Sequence, residues 1–509
     1  MLSHDYWNSA KGLVERSVLA HQRLALESFR RETLFKKAMY YGHFEGYRSL
    51  VEEKIAAFTR PGSPAREYLM TSFPRINLTA FLVDLQAQAY RTPPRRSLVA
   101  VNGAAPEEAA ALLPALMQDL GMDGCMRLTE RMVTLLGSVL VHVRGDDFTG
   151  HPQLSVISLD RVWPLLDPDF PNRLEAVHGL AIELPAACDP YRLHGARFLR
   201  YLPQDGLWRL DVTDISGHVL HTCAGDDLPL LPCLPLVKVD AHDSDEFFLH
   251  GGDDLLEEAV DKALQLADLR LSRKFSALPQ VVISGVDEGL AANLTVGPGT
   301  VVTLPDTAAS MQYLRPDVDW EALQRTISED IKLWMLSRGV PPTELDTADR
   351  DKSGEARFQA RQPLMERRAD MLPLWQDTEC RLWKVLACYM DEYWFKGGQG
   401  LAGSPSPCDT IRWQDFRLAV SFDQPKPLQT ETQRLENWQK KMAMGVADAA
   451  DYLADQMGIS REDALVLLRQ RAQQLACAGP ETGDQGARKP ADPHPDKTTE
   501  DDDKPEEKE

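Results

Sequence analysis

The sequence lacks any run of apolar residues approaching the roughly 18–20 that a membrane-spanning helix requires. Its first residues, MLSHDYWNSAKGLVERSVLAHQ, are amphipathic and include acidic side chains, so they lack the basic-then-apolar order of a signal peptide. The eight cysteines are scattered without a Cys-x-x-Cys pair, a pattern typical of reduced, partly buried thiols. The sequence therefore predicts a chain that is made in a cytoplasm and contacts no membrane.

The motifs that carry common enzyme chemistry are missing as well. There is no GxxxxGK[ST] phosphate-binding loop, no HExxH zinc motif and no GxSxG nucleophile motif. The acidic segment 240–246, DAHDSDE, lacks the glycine and the distal glutamate of a calcium-binding loop, which favours a solvated loop. We therefore expect no catalytic residues, no cofactor and no metal, and a protein that is not an enzyme.

Basic residues are outnumbered. The chain has 56 Lys and Arg against 77 Asp and Glu, a net charge of −21 and a pI of about 5.1. A general nucleic-acid binder would present a basic face, and this balance argues against one. An acidic surface is compatible with solubility alone, and also with a wall that DNA must pass without adhering to it.

Up to position 137, apolar residues mostly recur at helical spacing. Pro93 and Pro94 are predicted to end the helix that contains Phe81, and Gly121 and Gly137 are predicted to end the two helices that follow. Beyond Gly137 the period changes to alternating apolar and polar residues separated by turn residues. This change predicts an antiparallel meander of short strands up to position 240.

The stretch from 250 to 394 has three long helical patterns. They cover residues 253–275, 319–339 and 356–394, with Pro363 and Pro373 inside the third, which should therefore be kinked. Three short strands bounded by Gly and Pro are predicted between the first two helices. The segment 340–355, VPPTELDTADRDKSGE, separates the second helix from the third.

The last hundred residues divide by composition. A strand is predicted within IRWQDFRLAVSF, and two or three helices are predicted from 429 to 475, with Gly445 and Gly458 as boundaries. Residues 476–509 have no aromatic side chain and almost no aliphatic ones, which predicts a disordered acidic tail. The complete pattern predicts an α+β fold that is mainly helical.

The break after the second long helix carries a dense set of charges. Gly339 and the prolines that follow it end the helix, and Ser353 is a candidate cap for the next one. A charged loop between two rigid helices is often functional, although an ordinary connector would look similar. The candidate contact residues are Arg338, Asp349, Arg350, Asp351 and Lys352.

Four segments, in this order, resemble the portal proteins of tailed double-stranded DNA bacteriophages. They are PRINLTAFLVDLQAQAYRTPP; GSVLVHVRGDD followed by LSVISLDRVWPLLDPD; LHGGDDLLEEAVDKALQLADLRLSRKF; and SRGVPPTELDTADRDKSGEARFQARQPLMERRADMLPLW. The resemblance covers roughly residues 30 to 475. No single segment is as specific as a zinc or nucleotide motif, and it is their order that carries the likeness.

The resemblance implies a portal-type subunit whose parts follow the chain. These parts are a wing of helices and sheet (1–249), the first stem helix (250–276), a small β-containing clip (277–317), the second stem helix (318–338), the tunnel loop (339–355), a long kinked helix that returns to the wing (356–428) and a helical crown (429–475). The tail, 476–509, matches no part of the family. The tunnel-loop candidates named above would face the DNA.

In that family a ring of subunits, usually a dodecamer, occupies one capsid vertex of the virion. The resemblance implies non-sequence-specific contact with viral double-stranded DNA, docking of the terminase large subunit, and later docking of head-completion or adaptor proteins. It also implies contact with the major capsid or scaffolding protein. Two alternatives stay open: a non-portal virion scaffold or adaptor protein, and a packaging enzyme, which would need the phosphate-binding loop or ordered acid cluster that is missing.

Overall fold

The computed structural model describes residues 29–101, 107–145, 152–167, 169–170, 172–183, 197–214, 217–222, 230–249, 251–277, 280–284, 310–314, 319–345, 358–391, 411–423, 431–457 and 461–477. Over these residues the fold is α+β and mainly helical, which confirms the predicted class. The chain divides into two compact units, Met1–Pro427 and Leu428–Glu509.

The helices, in chain order, have the following bounds. They are α1 (29–40), α2 (Phe44–Phe58), α3 (Pro64–Thr71), α4 (Leu78–Gln86), α5 (Glu107–Asp119), α6 (Met122–Leu136), α7 (Asp253–Ala277), α8 (Trp320–Ser337), α9 (Gln362–Tyr389), α10 (Glu431–Ala443), α11 (Ala449–Met457) and α12 (Arg461–Cys477). Helices α5 and α6 end where the sequence predicted, and Gly121 and Gly137 have φ angles of 60° and 86°. Both values lie in the region that glycine tolerates best.

The strands form small antiparallel sheets. They are β1 (Arg95–Ala100), β2 (Ser138–Gly145), β3 (Pro152–Ser158), β4 (Val162–Leu166), β5 (Leu174–Glu183), β6 (Arg197–Gln204), β7 (Leu207–Thr213), β8 (Val219–Thr222), β9 (Leu236–Asp240), β10 (Gln280–Ser284), β11 (Ser310–Leu314) and β12 (Phe416–Ser421). The strand orders are β3-β2-β9, β4-β5-β6-β7-β8, β10-β11 and β1-β12. The antiparallel meander is confirmed, although it separates into two sheets. Of the three strands predicted between α7 and α8, the middle one lies outside the described residues.

The core of the first unit lies where α6, α7, α9 and the sheet β3-β2-β9 meet. Helix α7 buries one apolar face, with Leu256, Val260 and Ala267 at most 5% exposed. The indoles of Trp375 and Trp383 on α9 are 1% exposed. Burying a large apolar side chain stabilises a fold by about 1.5–3 kcal/mol, so these two side chains fix α9 in the core, where the helix contacts β2, β9 and β12.

A buried ionic network joins β1, α6 and α9. Glu379 is fully buried, and its carboxylate accepts two hydrogen bonds from Arg96, at 2.6 and 2.9 Å, and one from the Tyr90 hydroxyl at 2.8 Å. Arg96 also binds Asp123 at 2.5 Å. Burial acts to lower the pKa of Arg96, but these carboxylates raise it overall, so its guanidinium stays charged. Burial, with Glu379 nearby, raises the pKa of Tyr90.

Helix α4 ends earlier than predicted. It stops at Gln86, and a single 3-10 turn, Ala89–Arg91, precedes β1. The Glu130 carboxylate on α6 accepts the backbone N–H groups of Ala89 and Tyr90, at 2.7 and 3.0 Å. These bonds satisfy donors that a continuing helix would have paired internally, so a distant glutamate, rather than Pro93 and Pro94, decides where the helix ends.

The third long helix is shorter than predicted. Its pattern began at position 356, but α9 begins at Gln362 after a separate helical turn at 358–360. Pro363 therefore lies in the first turn of α9, where its missing N–H has no helical partner to lose. Only Pro373 lies inside the helix, where it removes one hydrogen bond. At 28 residues, α9 is roughly 42 Å long.

The backbone that enters α7 lies directly against the end of α6. A Cβ atom on Gly251 would be 2.7 Å from Gly137 Cα and 2.8 Å from Gly137 N, closer than real Cβ contacts. Lys36 on α1 donates to the Gly251 carbonyl at 2.8 Å and pairs with Asp253. The start of α7 is thereby fixed to both α1 and α6.

The described residues of the second unit form α10, α11 and α12. Gly445, with φ of 69°, follows the end of α10 as predicted, while Gly458 lies outside the described residues. Asp448 caps α11, accepting the N–H groups of Ala450 and Asp451 at 2.9 Å each, and it pairs with Arg461 at 2.8 Å. The bond from Asp451 and the pairing with Arg461 lower the pKa of Asp448 to about 2. The predicted tail beyond Cys477 lies outside the described residues.

Candidate functional site

The end of α8 is a complete Schellman motif. Gly339, with φ of 70°, donates its N–H to Leu336 O at 2.9 Å, and Val340 donates to Met335 O at 2.9 Å. Met335 and Val340 are both buried, the apolar contact that accompanies this motif. The predicted helix end at Gly339 and Pro341 is confirmed, and the motif fixes the direction in which the chain leaves the helix.

Arg338, the C-cap of α8, is held by the start of α7. Its Nε donates to Asp254 Oδ2 at 2.5 Å, and its Nη2 donates to Asp254 Oδ1. Trp334 Nε1 donates to the same carboxylate at 3.3 Å. The Arg338 side chain is 14% exposed, so the guanidinium is occupied within the chain. Asp254 also lies in the first turn of α7, where the helix dipole favours its negative charge.

The Arg338 carbonyl connects two further helices to this point. It accepts hydrogen bonds from Gln86 Nε2 on α4 at 2.6 Å and from Arg367 Nη1 on α9 at 2.9 Å. Burial, reinforced by the nearby Arg338 charge, lowers the pKa of Arg367. Four helices, α4, α7, α8 and α9, therefore meet at one residue, which we call the Arg338 junction.

A second ion pair closes the connector between α8 and α9. Arg361 Nε and Nη2 bind the two Glu344 oxygens at 2.5 and 2.9 Å, in the two-point geometry that suits guanidinium and carboxylate. The bond to Glu344 raises the pKa of Arg361. Glu344 precedes and Arg361 follows most of the connector, so their pairing brings its two ends together.

The structure locates one of the five predicted contact residues. Arg338 lies at the junction, whereas Asp349, Arg350, Asp351 and Lys352 lie outside the described residues, as does the candidate cap Ser353. A role for Arg338 in DNA contact stays a prediction. Sequence reasoning missed Gln86, Arg367 and the Glu344–Arg361 pair, because their partners are distant in sequence. Asp254 lies in the first turn of α7, a common position for an acid, and its partners Arg338 and Trp334 follow it by 84 and 80 residues.

Replacing Asp254 with asparagine is expected to lower the free energy of unfolding by about 1–2 kcal/mol. Hydrogen bonds to charged groups contribute about 1.5–3 kcal/mol, and the 43% exposure of the Asp254 side chain screens part of that. The control is Asp261→Asn on the same helix, whose pair with Lys54 is more exposed, with an expected cost of at most about 0.5 kcal/mol. Urea denaturation measures both variants, and equal losses of unfolding free energy would show that the Arg338 junction contributes no more to stability than an exposed ion pair.

The same comparison has a pH dependence. Burial acts to raise the pKa of Asp254, but the bonds from Arg338 and Trp334 lower it overall. A carboxyl with a lowered folded pKa stabilises the protein above its unfolded pKa of about 3.9, and this contribution is lost as the pH falls through the folded pKa. The difference between wild type and Asp254→Asn should therefore be constant above about pH 5 and shrink below about pH 4.

Among the described residues, helix α8 packs against α7 with one side. Lys262 on α7 binds Asp330 at 3.2 Å, and Ile327, Trp334 and Met335 are buried. Leu333 and Leu336 lie on the opposite side and are 64% and 56% exposed. Leu323 has the helical spacing of the buried residues Ile327 and Trp334, but it is 41% exposed. Two leucines exposed this far on a rigid helix form an apolar face, the α8 leucine face, that a neighbouring surface could cover.

Within the described ranges, no group of three or more His, Cys, Asp or Glu side chains is arranged to hold a metal ion. No helix in the same ranges is long and apolar enough to cross a membrane.

Comparison with known proteins gives distant likenesses only. No protein-family model matches the sequence, and no curated protein does either. A chain from the virion of a native gene transfer agent particle shares 14% identity, with 81% of this chain and 99% of that chain covered and a TM-score of 0.35. A chain from the neck of the empty particle, computed with C6 symmetry, shares 14% identity at a TM-score of 0.36. A chain from the neck of the native particle, computed with C12 symmetry, shares 13% identity at a TM-score of 0.34. In both comparisons 78% of this chain and 94% of the other chain are covered. Values this low assign neither a family nor a function.

Proposed function

We propose that this chain is the subunit of a portal-type ring, a channel at one capsid vertex through which viral double-stranded DNA is packaged and later ejected. The resemblance of four ordered sequence segments to phage portal proteins supports this function. The arrangement of α7, α8 and α9 supports it independently, because those segments form long helices meeting at one fixed junction.

The observation that carries the proposal is the α8 leucine face. One side of α8 is held by α7, while Leu333 and Leu336 point away from that contact. If a different surface of a second copy covers this face, the two copies form a head-to-tail interface, and such interfaces close into a ring when the rotation between neighbours closes. In a ring, α8 of each copy would lie between its own α7 and a neighbouring subunit.

The junction suits a subunit that must present a loop at a fixed place. Asp254 holds the end of α8, and the Glu344–Arg361 pair closes the base of the connector. We propose that residues 339–355 line the channel and that this rigid base holds them there. The residues proposed to contact DNA are Asp349, Arg350, Asp351 and Lys352. The net charge of −21 fits weak, exchangeable contact, since every fixed phosphate contact adds affinity that opposes movement.

The proposed partners follow from the same function. They are other copies of the chain in a dodecameric ring, viral double-stranded DNA without sequence preference, the terminase large subunit, head-completion or adaptor proteins, and the major capsid or scaffolding protein. The chain would be made in the host cytoplasm and reside in the virion. Its contribution is geometric, so we propose no catalytic residue and no cofactor.

Averaged electron-microscopy images of the purified full-length chain test this function. We expect rings with a central hole wide enough for duplex DNA, and no ATP hydrolysis by the protein alone. A chain that stays a compact monomer under all assembly conditions would contradict the proposal. ATP hydrolysis by the pure protein would favour a packaging enzyme, and closed assemblies without a hole would favour a scaffold.

A further inference from the structure

Helix α7 has opposite charges at its two ends. Its first nine residues include five acids: Asp253, Asp254, Glu257, Glu258 and Asp261. Most of these are paired, with Lys36, Arg338, Lys262 and Lys54 supplying the cations. The last turns instead carry Arg270, Arg273 and Lys274, with no acid after Asp268. The acids at the start of α7 therefore form ion pairs within the fold, whereas the end of the helix carries cations.

The three cations share one face and point into solvent. Their spacing of three and four residues places them side by side on the helix, and all three are exposed. Among the described residues no carboxylate forms an ion pair with them. Lys274 Nζ lies 4.6 Å from the centre of the Tyr68 ring on α3, which positions the ammonium without neutralising it.

Helix stabilisation does not account for this cluster. Cations favour the C-terminal end of a helix, but the effect is confined to about the last turn. Lys274 lies in that turn, whereas Arg270 lies nearly two turns before the end at Ala277. Solubility does not account for it either, since three exposed cations reduce the net charge of an acidic chain.

We infer that Arg270, Arg273 and Lys274 form a contact site for the phosphate groups of duplex DNA. The inference rests on the proposed channel function, which supplies the DNA, and it adds a second contact separate from residues 339–355. Cationic side chains that form no ion pair within the chain bind phosphates without reading bases, and the contact is electrostatic and therefore weakened by salt. One such site on each copy of a ring would repeat the same weak contact around the duplex.

The test measures binding of the full-length protein to a random-sequence duplex over a range of salt concentrations. The variant Arg270→Gln/Arg273→Gln/Lys274→Gln is expected to lose at least about tenfold in affinity at low salt. The slope of log K against log salt should fall by about 2–3, since each phosphate contact contributes about 0.9. The variant Arg270→Lys/Arg273→Lys/Lys274→Arg keeps the charges and should bind as the wild type does.

The matched control is Lys440→Gln/Arg469→Gln/Arg471→Gln, which removes three exposed cations from the second unit. It changes the net charge equally and should leave the salt slope unchanged. Equal slopes for the two Gln variants, or a wild type without salt-dependent duplex binding, would overturn the site. Images of the same samples separate the two proposals: an absence of wild-type rings removes the channel function, while the slopes still decide whether the cations bind DNA.

Discussion

Replacing Arg96 with methionine is expected to destabilise the chain by about 3–5 kcal/mol, because it leaves a buried carboxylate without its countercharge. Glu379 is fully buried, and the substitution removes two of its three hydrogen bonds. The Tyr90 hydroxyl alone cannot compensate the charge. Urea denaturation followed by tryptophan fluorescence measures the change, since Trp375 and Trp383 are buried on the same helix.

The control for this substitution is Arg48→Met. Arg48 pairs with Glu45 and Glu52 on the surface of α2, and its side chain is 49% exposed, so solvent screens both pairs and little or no loss of stability is expected. The double substitution Arg96→Met/Glu379→Leu should recover much of the stability, because apolar residues of similar volume often replace a buried pair without loss. If Arg96→Met cost no more than Arg48→Met, the buried pair would not be what holds α9 to β1.

Substituting both Leu333 and Leu336 with aspartate is expected to abolish ring assembly while leaving the subunit folded. Each leucine buried at an interface contributes about 1.5–3 kcal/mol, and an unpaired carboxylate there adds a desolvation cost. Together these lower the affinity between subunits by at least about a hundredfold at 1.4 kcal/mol per factor of ten. Analytical ultracentrifugation and particle images report the assembly, and circular dichroism reports the fold.

The control adds the same charge to the same helix without removing the leucines. Gln324→Asp/Ser328→Asp changes two exposed polar positions of α8, away from the leucine face, and should assemble as the wild type does. Wild-type rings from the leucine variant would place the subunit interface elsewhere. Monomers from both variants would point to charge repulsion along α8 rather than to loss of the apolar face.

The sequence predicted the local parts of this fold well. Periodicity located α7 and α8, and glycines marked the ends of α5, α6 and α8, because those signals depend on neighbouring residues only. The third helix was overextended because ARFQAR has helical spacing and Pro363 was taken for an interior kink. In the structure that proline belongs to the first turn of α9. The helical period alone does not distinguish one long helix from a short turn followed by a new one.

What the sequence could not predict depends on residues far apart in the chain. No residue near Gln86 indicates that Glu130 will accept the backbone N–H groups of Ala89 and Tyr90 after the end of α4. Nothing near Arg338 indicates that Asp254 will hold it. The two DNA-contact proposals differ in the same way. The charges of residues 349–352 are evident in the sequence, whereas the cations on α7 are distinguished only by the structure, in which most acids of that helix form ion pairs and the cations do not.

The pairing of β1 with β12 has a consequence for how the protein is made. The register pairs Arg95 with Ser421 and Ala100 with Phe416, so the two strands are separated by more than three hundred residues of sequence. Contacts this distant form late, because a long loop must close before they stabilise anything. During synthesis, β1 keeps an unpaired edge until the ribosome has released Ser421. Completion of the first unit, and with it any association between subunits, is therefore an event that follows translation of nearly the whole chain.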